Sequence, residues 1–167
     1  EVPVGVKRIM HNVFNPKVWG ETSKIKSVIL PDTVVEVGHR AFANCPKLKT
    51  FTAPAGITYG TNAFEGCKNL ADDTGLIIID NTVLEYLGDD EVVSIPEGVH
   101  ALSDNLFSVI YSANPGNKKI TTVNLPTSLK KIGKCYLSYF NKKFNLIKYN
   151  TILCNCQEKN ASFLYII

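Results

Sequence analysis

The fold of this chain is decided by the stretch SVILPDTVVEVGHRAFANC, residues 27–45. It opens with alternating apolar residues, which is typical of a short strand with one buried face. Pro31 ends that strand, because proline has no N–H to donate to a neighbouring strand. Gly38 permits a turn that most residues would resist. The pair Ala41-Phe42 then predicts a large aromatic ring that is buried in the interior.

The same order of residues recurs along the chain. A proline closes the predicted strand again at Pro54, 23 residues after Pro31, and later at Pro96 and Pro126. No single copy can bury its own apolar side, so neighbouring copies must stack as coils of a solenoid. We therefore expect one continuous interior with a stack of rings. These rings belong to Phe14, Phe42, Phe64 and Phe107.

The order L-x-x-V-x-L-P-x-x-V-x-x-V-G-x-x-A-F-x-x-C resembles the BspA-like leucine-rich repeats. Residues 25–45 match it at nearly every position, and residues 48–67 match it with one deletion. The resemblance extends from Pro3 to about Leu137. It implies a leucine-rich repeat solenoid, an α/β fold dominated by β structure. Each coil of about 23 residues would contribute one parallel strand and a short helical turn at the Ala-Phe position.

We expect this solenoid to span residues 1–140, followed by an atypical C-terminal cap or tail at residues 141–167. One interruption, at residues 15–24, is predicted to be a loop, and a second, at residues 111–119, has the composition of an exposed loop. A third, at about residues 75–90, is predicted to be a β-hairpin. The chain begins inside a repeat, which suggests that it is a piece of a longer protein or that residues precede Glu1.

Composition restricts the function classes. The net charge of +3 is too small to indicate nucleic-acid binding, and 45% hydrophobic residues are typical of a globular chain. No apolar run reaches the length of a membrane span.

The five cysteines cannot all pair within one chain. Cys45 and Cys67 occupy equivalent positions, and we interpret them as buried core thiols in preference to a disulfide or metal pair.

The sequence offers no catalytic or cofactor motif. A serine-hydrolase elbow, a zinc-protease helix and a phosphate-binding glycine loop are all absent from it. The pair Cys154 and Cys156 lacks the second pair that a zinc site needs. His11 and His39 fall at equivalent positions, where later copies carry other polar residues, and we expect both at the surface. We predict no enzyme activity, no cofactor and no metal.

The predicted binding surface is the outward side of the strands, where side chains alternate with the core residues. Stacked coils would align these side chains as one stripe, and solenoids commonly bind partners through such extended faces. The stripe carries hydroxyls, an amide and aliphatic groups. Its members are Ser27, Ile29, Thr50, Thr52, Val92, Ser94, Thr122 and Asn124.

The resemblance implies a secreted or cell-surface recognition module, similar to an adhesin, that binds a protein or glycan on a host or neighbouring cell. The alternative is a structural spacer within a larger surface protein. A second candidate surface is a lysine-rich region that could attract polyanions. It lacks the interleaved arginine and aromatic residues typical of nucleic-acid binding. Its lysines are Lys118, Lys119, Lys130, Lys131 and Lys134.

Overall fold

The computed structural model describes residues 2–20, 23–107, 114–135, 143–145, 153–158 and 161–163. Side chains are described up to residue 133, and beyond it only backbone strands are described. The described residues between 2 and 67 form a first array of coils and those between 92 and 135 belong to a second, with a hairpin between them.

The first array is built from short strands and one turn of helix. Its elements are β1 (Arg8–Ile9), α1 (Pro16–Trp19), β2 (Ser27–Ile29), β3 (Glu36–Val37), β4 (Thr50–Thr52) and β5 (Thr58–Tyr59). Strands β2 and β4 pair in parallel, and β1, β3 and β5 form a separate parallel sheet. The leucine-rich repeat solenoid predicted from the sequence is therefore the fold, with β structure dominant.

Each complete coil of the first array carries two short strands, whereas the sequence predicted one. After β2, Pro31 accepts a hydrogen bond from the Val34 N–H at 3.0 Å, which closes a turn. The turn directs the chain into β3, where Val37 is fully buried. The second strand was missed because it has only two residues, too few for alternation to show in the sequence.

The turn after β3 contains the Ala-Phe pair and is not a regular helix. Ala41 N donates to the Gly38 carbonyl and Ala43 N to the Arg40 carbonyl, both at 3.2 Å, so the turn is closed by i to i−3 bonds. One position of this turn has a left-handed backbone in four of the described coils. It is occupied by Asn12 (φ 57°), Arg40 (φ 52°), Asn62 (φ 57°) and Asn105 (φ 59°). Asparagine suits this position because it visits the left-handed region more readily than most residues.

Gly38 is required for a reason other than the one we predicted. Its φ is not in the left-handed region, and an added Cβ would lie 2.8 Å from the backbone nitrogen of His11 in the preceding coil. Gly60 meets the backbone of His39 in the same way, and a Cβ on Gly133 would lie 2.5 Å from Asp104 N. Glycine at this position therefore permits close contact between coils.

The predicted hairpin consists of β6 (Leu76–Ile79) and β7 (Thr82–Tyr86), which pair in antiparallel fashion. Asp80 and Asn81 form its tip with φ values of 47° and 54°. Two successive positive φ values are the geometry of a tight hairpin turn, which Asn and Asp tolerate. β7 also pairs in parallel with the strand Ala101–Leu102 of the second array. The hairpin therefore takes the place of a coil strand.

The second array has two sheets of its own, one of which includes the hairpin. Its elements are β8 (Val92–Ser94), β9 (Ala101–Leu102), a 3-10 helix (Pro115–Lys118), β10 (Thr122–Asn124), β11 (Lys131–Cys135), β12 (Lys143–Asn145), β13 (Leu153–Glu158) and β14 (Ala161–Phe163). Strands β8, β10 and β12 are parallel neighbours, as are β7, β9, β11 and β13. β14 adds an antiparallel edge to β13. Most of the predicted cap, residues 141–167, lies outside the described residues.

Both predicted loops contain short helical segments. In the loop at residues 15–24, α1 begins after Asn15, whose side chain accepts from Lys17 N, and ends at Gly20 in a left-handed conformation. The loop at residues 111–119 contains the 3-10 helix, and Asn117 within it is only 1% exposed. The interpretation of this second segment as a wholly exposed loop is therefore wrong.

The aromatic stack is shorter than predicted. The rings of Phe14 and Phe42 are stacked with centroids 5.0 Å apart, and those of Phe42 and Phe64 are stacked at 5.8 Å. Phe107 belongs to a second core cluster, where it packs edge-on against Tyr86 at 5.8 Å. The single stack was the wrong expectation because the hairpin separates the two arrays and supplies Tyr86 to the second core.

Both faces of the hairpin are buried. Ile77 and Leu84 pack into the first core cluster, whereas Leu76, Val83 and Tyr86 pack into the second. A strand pair with apolar residues on both faces can bury the exposed ends of two arrays at once. The hairpin, residues 76–86, therefore connects the two arrays and is the joint between them.

Candidate functional site

The outward side of β2 and β4 forms the first strand-face patch, consisting of Ser27, Ile29, Thr50 and Thr52. Ser27 lies in register with Thr50, and Ile29 with Thr52. The Thr50 hydroxyl donates to the Ser27 hydroxyl oxygen at 2.8 Å. All four residues are exposed, and Ile29 keeps 50% of its surface in solvent. The alternation of these residues with buried Val28 places them on the outer side, as the sequence predicted.

The second strand-face patch lies on β8 and β10 and consists of Val92, Ser94, Thr122 and Asn124. Val92 is in register with Thr122, and Ser94 with Asn124. The Asn124 amide nitrogen donates to the Ser94 hydroxyl oxygen at 3.0 Å. Val92 is 53% exposed, and the two β10 residues are half-buried.

The two patches do not form the single stripe that we predicted. β4 and β8 belong to different sheets, and the hairpin and its flanking segments lie between them in the chain. Stacking therefore aligns the residues within each patch, but the insertion breaks the alignment between Thr52 and Val92. The structure brings the eight predicted residues together as two groups of four.

Neither patch carries a group that could act as a nucleophile activated by a base. The eight side chains are hydroxyls, one amide and two aliphatic groups, and they contain no carboxylate, imidazole or thiol. Neighbouring hydroxyl and amide groups can exchange hydrogen bonds with a partner. Ile29 and Val92 can bury apolar surface at about 25 cal/mol per Å². Such a surface suits broad contact with a macromolecule.

The lysine-rich region is partly neutralised. Lys119 Nζ lies 2.5 Å from the Asp89 carboxylate, which follows the hairpin. This pairing holds the pKa of Asp89 below its usual range and raises that of Lys119. Lys118, Lys130 and Lys131 are exposed. The side chain of Lys134, in β11, lies outside the described part of the chain.

The two equivalent cysteines are fully buried free thiols, as predicted. Cys45 Sγ donates to the Phe14 carbonyl at 3.3 Å, and Cys67 Sγ donates to the Phe42 carbonyl at 3.0 Å. The neighbouring Cys45 thiol and burial both raise the pKa of Cys67, so this thiol stays protonated and keeps its donor. The cysteines thus connect each coil to the aromatic residue of the preceding one.

The histidines occupy surface turns. His11 and His39 are both exposed, and His39 Nδ1 lies 2.8 Å from the Thr61 hydroxyl oxygen. Within the described residues, no three His, Cys, Asp or Glu side chains are grouped so that they could hold a metal ion.

Neither helix in the described part of the chain has the length and apolar character needed to cross a bilayer.

Four buried polar or charged residues were missed from the sequence, namely Asn15, Ser23, Glu85 and Asn117. Glu85 is 7% exposed, and its carboxylate Oε1 accepts from the Phe64 N–H at 3.4 Å. Asn117 donates its amide N–H to the Leu106 carbonyl at 3.2 Å. The signal for Glu85 was available, because it stands alone within the apolar run Val83–Leu87. Asn117 sits in a Pro-Gly-Asn segment whose composition resembles any exposed turn.

Three solved structures illustrate what this chain is similar to. One is a leucine-rich cell surface protein from Faecalibacterium prausnitzii A2-165, with 26% identity over 80% of this chain and 36% of that chain, and a TM-score of 0.41. A second is the T. pallidum leucine-rich repeat protein, with 22% identity over 79% and 48%, and a TM-score of 0.39. A third is the pneumococcal vaccine antigen PcpA, with 17% identity over 84% and 42%, and a TM-score of 0.40.

This chain thus spans between 36% and 48% of the length of those structures. The comparison with curated proteins gives no significant match. The family model of the BspA type leucine-rich repeat region matches residues 1–114 in six copies, which is most of the chain and includes every coil of the first array. The chain therefore belongs to the family of BspA type leucine-rich repeat proteins.

Proposed function

We propose that this chain is a non-enzymatic recognition module of a secreted or cell-surface protein, which binds a protein or glycan of a host or neighbouring cell through its two strand-face patches. The observation that carries the proposal is the exposure of Ile29 and Val92, at 50% and 53%, on strand faces otherwise lined by hydroxyl and amide groups. Family membership supports a surface location, since the repeats occur in bacterial surface and secreted proteins.

The patches are built as rigid platforms. Their backbones are fixed by parallel pairing, and their side chains are held by the Thr50–Ser27 and Asn124–Ser94 hydrogen bonds. A preorganised surface loses little conformational entropy on binding. Its neutral groups favour a neutral or mixed partner, whereas the lysine-rich region would favour a polyanion.

Binding to an array of extracellular-matrix proteins and glycans tests the proposal. Val92→Arg places a bulky charge on the second patch. Val35→Arg is its matched control, because Val35 is also 53% exposed but precedes β3, which belongs to the sheet of β1, β3 and β5. Thr52→Arg tests the first patch, and Thr58→Arg, in β5 of the sheet of β1, β3 and β5, is its control. We expect the patch variants to weaken binding at least tenfold and the controls to leave it unchanged.

The outcomes separate the alternatives. If no array member binds the unmodified chain, the spacer interpretation gains support and the recognition proposal fails. If binding is lost in Lys130→Glu and falls steeply between low and high salt, the lysine-rich region is the contact. If the control and patch variants weaken binding equally, the strand faces are not the binding surface.

A further inference from the structure

Glu85 is the buried carboxylic acid of the described residues, and it lies in the joint between the two arrays. Its neighbours along β7 divide between the two cores, since Leu84 packs into the first and Tyr86 into the second. The carboxyl group itself points toward the first array, where it reaches the Phe64 N–H. A buried carboxylate without a matched cation is costly, so this position needs an explanation.

The backbone hydrogen bonds of the aromatic residues explain why a carboxyl group occupies this position. Phe14 N donates to the Ala41 carbonyl of the next coil at 2.9 Å, and Phe42 N donates to the Ala63 carbonyl at 2.9 Å. For Phe64 the next coil is missing, because the hairpin occupies its place. Glu85 Oε1 accepts the Phe64 N–H at 3.4 Å instead. Its carboxyl therefore stands in for the backbone carbonyl that another coil would have supplied.

The groups around Glu85 oppose its ionisation on balance. Burial is the main cause that raises its pKa, the nearby Glu65 carboxylate adds to the rise, and the net pKa is about 8. The Phe64 N–H and the Arg40 guanidinium act in the opposite direction, but Arg40 Nε already donates to Glu65 Oε2 at 2.7 Å. Cys67 also faces Glu85 from the first array. On the other side, the Ser103 hydroxyl, which is neutral, donates to the Leu84 carbonyl at 2.8 Å.

We propose that the hairpin is a pH-sensitive joint, in which the first array stays docked on β7 while the Glu85 carboxyl is protonated and loosens when it ionises. The protonated carboxyl is neutral and still accepts the Phe64 N–H through its carbonyl oxygen. The carboxylate places a negative charge in the interior beside Glu65, where Arg40 is already engaged. The same protein would thus be stiffer in acidic surroundings than in alkaline ones.

The direction of the effect follows from the two protonation equilibria. The ordinary pKa of 4.5 rises to about 8 in the folded state, so the folded chain retains a proton that the unfolded chain has lost. The resulting stabilisation is fully present below pH 4.5 and is lost as the pH rises to about 8. It is then constant at higher pH, as far as this group is concerned.

Hydrogen exchange of the Phe64 amide, followed by NMR between pH 5 and 9, measures the loosening directly. After correction for intrinsic base catalysis, the opening constant should rise at least tenfold between pH 6 and pH 9. Glu85→Gln keeps the accepting oxygen without the charge, and its opening constant should not vary with pH. Glu65→Gln removes a charge that raises the pKa of Glu85, so the rise should be smaller and should level off at a lower pH.

An identical pH profile in the unmodified chain and Glu85→Gln would overturn the proposal. If Glu85→Gln fails to fold, the carboxyl carbon shift of Glu85 in the unmodified chain gives the decision. A titration midpoint near 8 supports the joint, and a midpoint below 6 contradicts it. Unchanged exchange of the Phe64 amide alongside a midpoint near 8 would also contradict it, because ionisation would then leave the docking intact.

Discussion

The thiol of Cys67 donates a hydrogen bond to the carbonyl oxygen of Phe42 across 3.0 Å and so joins two neighbouring coils of the first array. Cys45 makes the same contact with Phe14 one coil earlier, at 3.3 Å. The two cysteines satisfy carbonyl groups that would otherwise be buried without a donor. Their repetition at one position of the repeat therefore has a structural explanation that requires neither a disulfide nor a metal.

Replacing Cys67 tests this role. Cys67→Ala removes the donor and leaves the Phe42 carbonyl unpaired, which should lower the free energy of unfolding by about 1–3 kcal/mol. Cys67→Ser retains a hydroxyl donor and should lower it less. Urea denaturation followed by circular dichroism measures both. If the alanine variant is as stable as the unmodified chain, the thiol contributes nothing to the contact between coils.

The position of a ring in the stack should determine the effect of its removal. Phe42 is fully buried between two rings, so Phe42→Ala should lower the free energy of unfolding by about 3–5 kcal/mol. Phe14 is half-buried and has one stacked neighbour, so Phe14→Ala should have a smaller effect. Thermal unfolding of both variants provides the comparison. Equal losses would contradict the placement of Phe42 at the centre.

The repeat glycine should tolerate no side chain. In Gly60→Ala, the Cβ would meet backbone atoms of His39, which cannot rotate away, and we expect a loss of about 1–3 kcal/mol. Gly56→Ala is the matched control, because Gly56 has open space around it but a φ of 74°. Its cost should be about 1 kcal/mol. Equal stability of the two variants, by urea denaturation, would argue against tight packing of the coil backbones.

Asn117 should be essential to the second array. Asn117→Ala removes the donor to the Leu106 carbonyl and should lower the free energy of unfolding by about 1–3 kcal/mol. Asn117→Asp has nearly the same shape, but a carboxylate cannot donate to that carbonyl and is costly to bury, so it should be more damaging. Thermal unfolding ranks the two. An aspartate variant as stable as the alanine variant would contradict this role.

The repeat itself could be predicted from the sequence because its constraints are local and different in kind. Pro31, Gly38 and Phe42 each serve a distinct physical role at a fixed distance, and their coincidence is rare by chance. The hairpin could be predicted for a similar reason, since Asp80 and Asn81 tolerate the left-handed backbone of its tip. These features therefore appear in the structure where they were expected.

The features that were not predicted depend on contacts between distant parts of the chain. Nothing local to Phe107 shows that its ring packs against Tyr86 instead of joining the stack. Likewise, the alternation that identifies Thr52 and Val92 as outward residues does not reveal that the hairpin separates their sheets. The candidate site was thus predicted residue by residue, whereas its division into two patches required the structure.

The most direct test of the central claim, two stacked arrays joined by a hairpin with both faces buried, is the pattern of ring contacts in solution. Nuclear Overhauser effects between aromatic rings, measured with only Phe and Tyr rings protonated, report distances of about 5–6 Å. We predict cross-peaks for Phe14–Phe42, Phe42–Phe64 and Tyr86–Phe107, whose centroids lie 5.0, 5.8 and 5.8 Å apart. A cross-peak between Phe64 and Phe107, or none between Phe42 and Phe64, would contradict the account.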